Sequence, residues 1–309
     1  AESALARAVR RDPTLTERVI AAIFDFGHHL LEEVKPNLVI TSMPAEPLHF
    51  ALQLLCARSD IPFVLNRPSK ILGDRAYWTL DRAGLNGATF VEFAKLRSTG
   101  ESPRAEAASH AQVFRDKPRP IAFVERNWRQ AAGRSWIDSQ VQFAKIARAE
   151  LSHRIRRRPG APPKQTIRVM IDYYRSAVLR LRQRHKFLSF DETELKEKRF
   201  IYFPLHKEPE FAINYSAPLW HQQIHTAHLI ASSLPYGYEL LVREHRFNVG
   251  RRPMSYYRQL TELPATKLVD AFDDQFKYLK HANLIVTENG SSGWEGVLLK
   301  RQVLTLADS

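Results

Sequence analysis

The chain reads as an α/β protein of two Rossmann-like domains with a basic helical segment between them. Three observations lead there. Short apolar runs alternate with stretches of helical spacing in both the first and the last third of the chain. A run rich in Arg, Pro and Gly interrupts the middle. The 309 residues exceed one average domain, and at 44% hydrophobic and 10% aromatic they supply apolar surface for two cores.

The elements follow in order. Leu15 to Val34 sets Val19, Ile20, Ile23, Phe26, Leu30 and Leu31 at helical intervals, and Pro36 ends the run. Asn37 to Thr41 is a short strand, followed by a polar loop through Ser42, Pro44 and Glu46. Pro47 to Arg58 returns to helix and Ile61 to Leu65 to strand. This alternation predicts a parallel sheet, whose ligands bind at the carboxyl ends of the strands. Glu46 and His49 follow the first strand there, and Asp74 follows the second. Glu46 is the candidate catalytic base of this half, with His49 and Asp74 behind it; a carboxylate that caps the next helix is the plain alternative. From Gly87 the pattern weakens, and Ser98 to Pro120 is expected to be a loop. Residues 1–125 form the first domain in this reading.

The middle segment, 126–198, carries the charge. Trp128 to Arg158 and Lys164 to Lys186 have helical spacing, split by Arg156-Arg-Arg-Pro-Gly-Ala-Pro-Pro163. From Lys145 to Arg199 there are 16 Lys/Arg against 6 Asp/Glu, which is +10 of the total +13. Such an excess suits phosphate, an acidic glycan or an anionic membrane surface. No recognised nucleic-acid module accompanies it, so nucleic acid is not the expected partner; a non-enzymatic polyanion- or nucleic-acid-binding protein is an alternative reading. Phe187 to Lys198 reads as a linker.

A second α/β series starts near residue 199. Phe200 to Phe203, Glu239 to Arg243, Lys267 to Val269 and Leu284 to Val286 read as strands. His221 to Ser233, Met254 to Leu263 and Asp273 to His281 read as helices. After Val286 comes Thr-Glu-Asn-Gly-Ser-Ser-Gly-Trp-Glu295, a tight small-residue turn, with helical spacing from Trp294 to Lys300 and a last strand from Val303 to Leu306. A small-residue loop that opens a helix leaves free N–H groups at the positive end of the dipole, which makes an anion site. An ordinary strand-to-helix turn with Ser as N-cap is the plain alternative.

No apolar run approaches the length of a membrane span, and Cys56 is alone, so neither an internal disulfide nor a cysteine metal site is expected. His221, His225 and His228 are spaced i, i+4, i+7, but nothing completes a metal site and none is assigned. A cytoplasmic setting is expected. The chain begins at Ala1 and stops at Ser309 directly after a strand, so the second domain, 199–309, is expected to be a truncated one.

Four motifs recur in order over about the last hundred residues: Tyr202-Phe-Pro-Leu-His-Lys-Glu-Pro-Glu210, Gln222-Gln-Ile224, Leu234 to His245, and Asn289-Gly-Ser-Ser-Gly-Trp-Glu295. As a set they resemble the bacterial capsule polysaccharide biosynthesis family, which includes Kdo transferases. The resemblance implies a GT-B plan and a glycosyltransferase that moves a sugar from a nucleotide-sugar donor, in related enzymes CMP-activated, to a glycan or glycolipid acceptor. A nucleotide-sugar 2-epimerase is the alternative on the same plan. The family's Lys-Glu-His-Pro is here Arg243-Glu244-His245-Arg246, with the His kept and the Pro lost. The resemblance implies that His245 and Arg243 face the nucleotide, that Ser291, Ser292 and Gly293 hold its phosphate, and that Glu295 takes the ribose hydroxyls. His206 and Glu210, directly after the first strand, are expected to position donor or acceptor beside Glu46. No cofactor or metal is implied. The basic helices would touch the inner membrane peripherally.

Overall fold

The computed structural model describes residues 12–42, 47–69, 76–80, 87–100, 105–120, 187–208, 210, 213–214 and 217–307, with single positions at 141, 144, 148 and 178. The two basic helices expected between Trp128 and Lys186 lie outside the described residues, apart from those single positions. Among the described residues the architecture is mixed α/β, built around two sheets.

Helix α1 (Pro13–Val34) starts two residues earlier than its apolar spacing suggests. Asp12 explains this, since its carboxylate accepts the N–H groups of Thr14 and Leu15 at 3.0 and 3.3 Å and Pro13 fits the first helical position. Strand β1 (Val39–Thr41), helix α2 (Pro47–Arg58) and strand β2 (Phe63–Pro68) follow as the alternation predicts, and β1 and β2 are parallel. The first sheet then departs from the expected pattern. Strand β3 (Ala76–Thr79) pairs antiparallel with β2, joining Leu65 to Thr79 and Pro68 to Ala76.

The loop expected from Ser98 to Pro120 is also corrected. Helix α3 (Gly87–Thr99) and helix α4 (Ala105–Asp116) occupy this region. The polar composition of α4 hides one apolar contact, in which Phe114 meets Phe276 edge-to-face at 5.9 Å. Arg115 beside it donates to the carbonyl of Leu298 at 3.4 Å. Tertiary packing, rather than local periodicity, makes this segment a helix.

The second sheet positions the site. It comprises β4 (Phe200–Pro204), β5 (Glu239–Arg243), β6 (Thr266–Val269), β7 (Leu284–Thr287) and β8 (Val303–Thr305). The spatial order is β6-β5-β4-β7-β8, and every pairing is parallel. Alternate residues enter opposite faces, as a pleated strand requires. Phe200, Tyr202, Leu241, Val269 and Ile285 pack on one face beneath helix α5 (Glu192–Glu197) and helix α8 (Gln275–His281). Ile201, Phe203, Leu240, Val242, Leu268 and Val286 pack on the other beneath helix α6 (Gln223–Ser232) and helix α7 (Met254–Thr261). Tyr202 and Tyr278 stack with near-parallel rings 5.8 Å apart. Double coverage is why the strands read as continuous apolar runs and not as alternation.

The stretch read as a linker packs onto this sheet. Leu188 bridges to Val269 at the β6 edge, and Phe190 and Leu195 are buried. Asp191 and Glu194 form a reciprocal capping box that starts α5. Among the described residues, no helix is long and apolar enough to cross a membrane.

Helix α9 (Ser291–Leu298) closes the unit against β7 and β8, and Gly296 sets how closely it approaches. A methyl group there would lie 2.5 Å from Ile285 Cδ1 and 2.8 Å from Val303 Cγ2. Gly296→Ala is therefore expected to lower unfolding stability by about 1–3 kcal/mol, read as a reduced urea midpoint at unchanged slope.

Candidate functional site

β4 is the switch point of the second sheet: the chain leaves it to one side through α6 into β5 and later returns to its other side as β7. In an open parallel sheet the crevice forms outside the carboxyl ends at such a point. Three segments meet there: Leu205 to Glu208 after β4, Glu244 to Asn248 after β5, and Glu288 to Gly290 after β7.

His206 sits in the middle of this junction and is 8% exposed. Its backbone is held from two sides. Its N–H donates to Gln223 Oε1 at 2.6 Å, and its carbonyl accepts from Arg252 at 2.8 Å and from Gln223 at 3.3 Å. Its ring Nε2 accepts the Asn289 N–H at 3.5 Å, and Nδ1 lies 4.0 Å from the Glu210 carboxylate. Burial holds the Glu210 carboxyl above its ordinary range, with Lys207 acting against it. Sequence reading paired His206 with Glu210, and the two do lie side by side.

The small-residue turn begins its helix earlier than Trp294. Gly290 is the N-cap of α9, with no side-chain cap, and Ser291 and Ser292 are the first helical residues. The cap is thus glycine, not serine. Its space is limited, since a Cβ would come within 2.9 Å of Thr287 Oγ1 and 3.2 Å of His206 Cε1. The N–H groups of Ser291 and Ser292 have no intrahelical acceptor by geometry, and Gly290 just before them lies against the imidazole. Gly293 lies behind them, with its Cβ position 3.2 Å from Thr287 Cγ2.

The earlier start moves Glu295 out of the first turn and into the interior. It is 4% exposed and accepts from Gln275 Nε2 at 2.9 Å. Burial pushes its carboxyl up to about 7, against the pull of Arg243 and a hydrogen bond from Ser291. Arg243 also faces inward. Its guanidinium donates to the carbonyls of Ala271 and Asp273 at 2.6 and 3.0 Å and to Gln275 Oε1 at 3.3 Å. Arg246, which replaces the expected proline, donates to the Ala271 carbonyl at 2.8 Å. Both arginines thus tie the loop after β6 to the end of β5.

His245 is neutral. Burial, with His206 and Arg243 nearby, pushes its pKa down to about 3. Its Nδ1 accepts the Phe247 N–H at 3.3 Å, which leaves the proton on Nε2 as a donor. Phe247 stacks on the ring at 5.5 Å. Glu46 lies outside the described residues, as does Asp74. His49 belongs to α2, beside the first sheet.

Four residues to which sequence reading gave no role complete the junction. Arg252 is 6% exposed and reaches Glu244 at 3.5 Å and Glu208 at 3.6 Å while stacked on Tyr256 at 4.3 Å. Asn248, in the orientation that satisfies its neighbours, accepts from Arg252 at 2.8 Å and from the Glu208 N–H at 3.0 Å. Glu244 is fully buried and accepts from the Tyr257 hydroxyl at 3.0 Å. Glu288 is fully buried as well, with the Thr226 hydroxyl beside it as a hydrogen-bonding neighbour. A carboxylate directly behind a run of buried strand residues was the signal available for Glu288. Arg252 gave none, because Gly250-Arg-Arg-Pro253 reads as a turn.

Burial pushes Glu288 up to about 8 and Glu244 up to about 7, the latter against Arg252 and the Tyr257 hydrogen bond. In the unfolded chain these carboxyls lose their protons near 4.5. The folded state therefore holds more protons between those values, and stability falls as pH rises through 7 to 8. The depressed His245 acts in the opposite direction, but only below its ordinary 6.5. The melting temperature is expected to drop between pH 6.5 and 8.5. Glu288→Gln should flatten that drop, raising the melting temperature at pH 8.5 by a few degrees (roughly 1 kcal/mol) and leaving it nearly unchanged at pH 5.

No known protein family's sequence profile matches the chain, and no curated protein matches it. Among solved structures it is similar to the beta-Kdo 2,7 transferase KpsC of Thermosulfurimonas dismutans, at 14% identity over 44% of this chain and 41% of that one, with a TM-score of 0.30. It is also similar to the UDP-GlcNAc 2-epimerase of Methanocaldococcus jannaschii, at 13% identity over 94% of this chain and 66% of that one, with a TM-score of 0.32. A third is the UDP-GlcNAc 2-epimerase of Neisseria meningitidis bound to UDP-GlcNAc, at 14% identity over 96% and 65%, with a TM-score of 0.29. The chain thus spans about two fifths of the transferase and about two thirds of each epimerase. Likenesses this distant leave the family and the activity unassigned.

Proposed function

We propose that this chain binds a nucleotide-sugar at the Gly290 turn and acts as a glycosyltransferase in the assembly of a surface polysaccharide. The observation that carries this reading is the Gly290 turn itself, with a helix N-terminus opening beside His206 at the switch point of a parallel sheet. The N–H groups of Ser291 and Ser292 would hold the phosphate, aided by the helix dipole. Neutral His245 would donate from Nε2 to a nucleotide oxygen without adding charge. His206, fixed through its backbone, would lie against the same phosphate, and Glu210 would orient its ring. Charge develops on the departing nucleotide during sugar transfer, and donors already in place there stabilise it without reorganising.

Arg243 and Glu295 enter this reading as supports. Gln275 joins them, donating to Glu295 and accepting from Arg243. This chain of contacts fixes α9 against the loop after β6, and so holds the turn in place. The acceptor base is assigned to Glu46 in the first domain.

The reading is tested by calorimetry with CMP, UDP, a CMP-sugar and UDP-GlcNAc. Gly290→Ala, which pushes a methyl group at His206, and His245→Ala should each weaken nucleotide affinity about tenfold or more, with melting temperatures within a few degrees of the parent. Unchanged affinity in both variants would overturn the site. Incubating the bound nucleotide-sugar alone then separates the reactions: change at C2 of the sugar without an acceptor would make the protein an epimerase. The basic segment is proposed to dock on an anionic surface. Replacing Arg156, Arg157 and Arg158 with Ala should reduce flotation with phosphatidylglycerol vesicles and weaken its salt dependence.

A further inference from the structure

The first turn of α6 and one face of α7 enclose a cleft of about 650 Å³, a volume in the range of small-molecule sites. It adjoins the switch-point crevice through Glu208 and Gln223, which line it. Its lining is of four kinds, the first being the imidazoles of His221, His225 and His228, whose ring nitrogens can donate or accept. Gln222 and Gln259 carry amides, each able to donate and accept. Ile224, Leu263 and the ring of Tyr256 offer apolar surface. Glu208 and Glu262 carry carboxyl groups, and among the described residues no Lys or Arg lines the cleft.

From this lining we infer that the cleft between α6 and α7 is a saccharide subsite that takes uncharged, hydroxyl-rich sugar units and disfavours acidic ones. Amides that donate and accept side by side match pairs of adjacent hydroxyls, and the apolar surface matches the C–H face of a sugar ring. An acidic sugar would bring its carboxylate against Glu208 and Glu262, with no Lys or Arg among the described lining residues to pair it. The nearby guanidinium of Arg252 is engaged by Glu208, Glu244 and the His206 carbonyl. A second observation points to a ligand with hydroxyl groups. Among the described residues, the Tyr256 hydroxyl of the cleft lining is buried without a hydrogen-bonding partner. Buried polar groups ordinarily find partners, and this one belongs to the cleft lining. The subsite rests on the proposed function only for the expectation that a saccharide is the natural occupant.

The test uses the full chain at pH 7.5 without nucleotide, titrated with tri-N-acetylchitotriose and with trigalacturonic acid. The uncharged trisaccharide should bind at least tenfold more tightly. Gln222→Ala and His225→Ala should each weaken it fivefold or more, and Glu262→Lys should strengthen trigalacturonic acid binding fivefold or more. His225 and Glu262 are exposed, so these variants should fold, as unchanged melting temperatures would show. Equal or tighter binding of the acidic trisaccharide, binding of neither, or uncharged binding that ignores both alanine variants would overturn the inference. Nucleotide affinity should be unchanged in all three variants. Nucleotide affinity left unchanged by Gly290→Ala and His245→Ala would count against the proposed function and leave the cleft standing.

Discussion

The parallel strand β4 governs this structure. It is paired on both edges and covered on both faces, so its residues from Phe200 to Phe203 have nowhere to turn but into apolar packing. Only its carboxyl end is free to be polar. The chain leaves that end through Leu205 and His206 and turns into α6. Its two neighbours, β5 and β7, end at the same level, so their following residues must share the same small volume. The crevice is a consequence of that topology before any side chain is considered.

Polar groups crowded into such a place need partners, and one arginine supplies many of them. Arg252 faces Glu208, Glu244 and the carbonyl of His206 at once, and it also stacks on Tyr256. Gln223 repeats the arrangement from α6, meeting both the N–H and the carbonyl of His206. The imidazole is thus positioned by its backbone, which leaves its ring nitrogens facing Asn289 and Glu210. Burial, with the Glu208 carboxylate nearby as a smaller contribution, explains why Glu244 and Glu288 hold their protons well above the ordinary range.

Helix α9 depends on two glycines for different reasons. Gly290 lets the chain pass His206, and Gly296 lets the helix lie on Ile285 and Val303. If either contact loosened, the N–H groups of Ser291 and Ser292 would move away from the imidazole. The core on one face and the site at its end are therefore one mechanical unit, linked through Gln275, Glu295 and Arg243.

The sequence by itself determined the strands of the second sheet, because burial on both faces writes them as unbroken apolar runs. It also determined the polar turn at Gly290, because a small-residue stretch after such a run has few other uses. His206, Glu210 and His245 were legible as residues that follow strands. The tertiary structure decided what no local pattern encodes. Helix α4 exists through the contact of Phe114 with Phe276, a pair 162 positions apart. The antiparallel β3 and the packed Phe187 to Lys198 stretch depend likewise on partners distant in sequence. Arg243 and Glu295, read as ligand contacts, lie buried against Ala271, Asp273 and Gln275, whereas Arg252 and Glu288, read as turn and strand end, lie buried at the junction. The reason is physical. Apolar periodicity reports which face of an element is covered, but the partner of a buried charge is set by which strand ends the topology brings together.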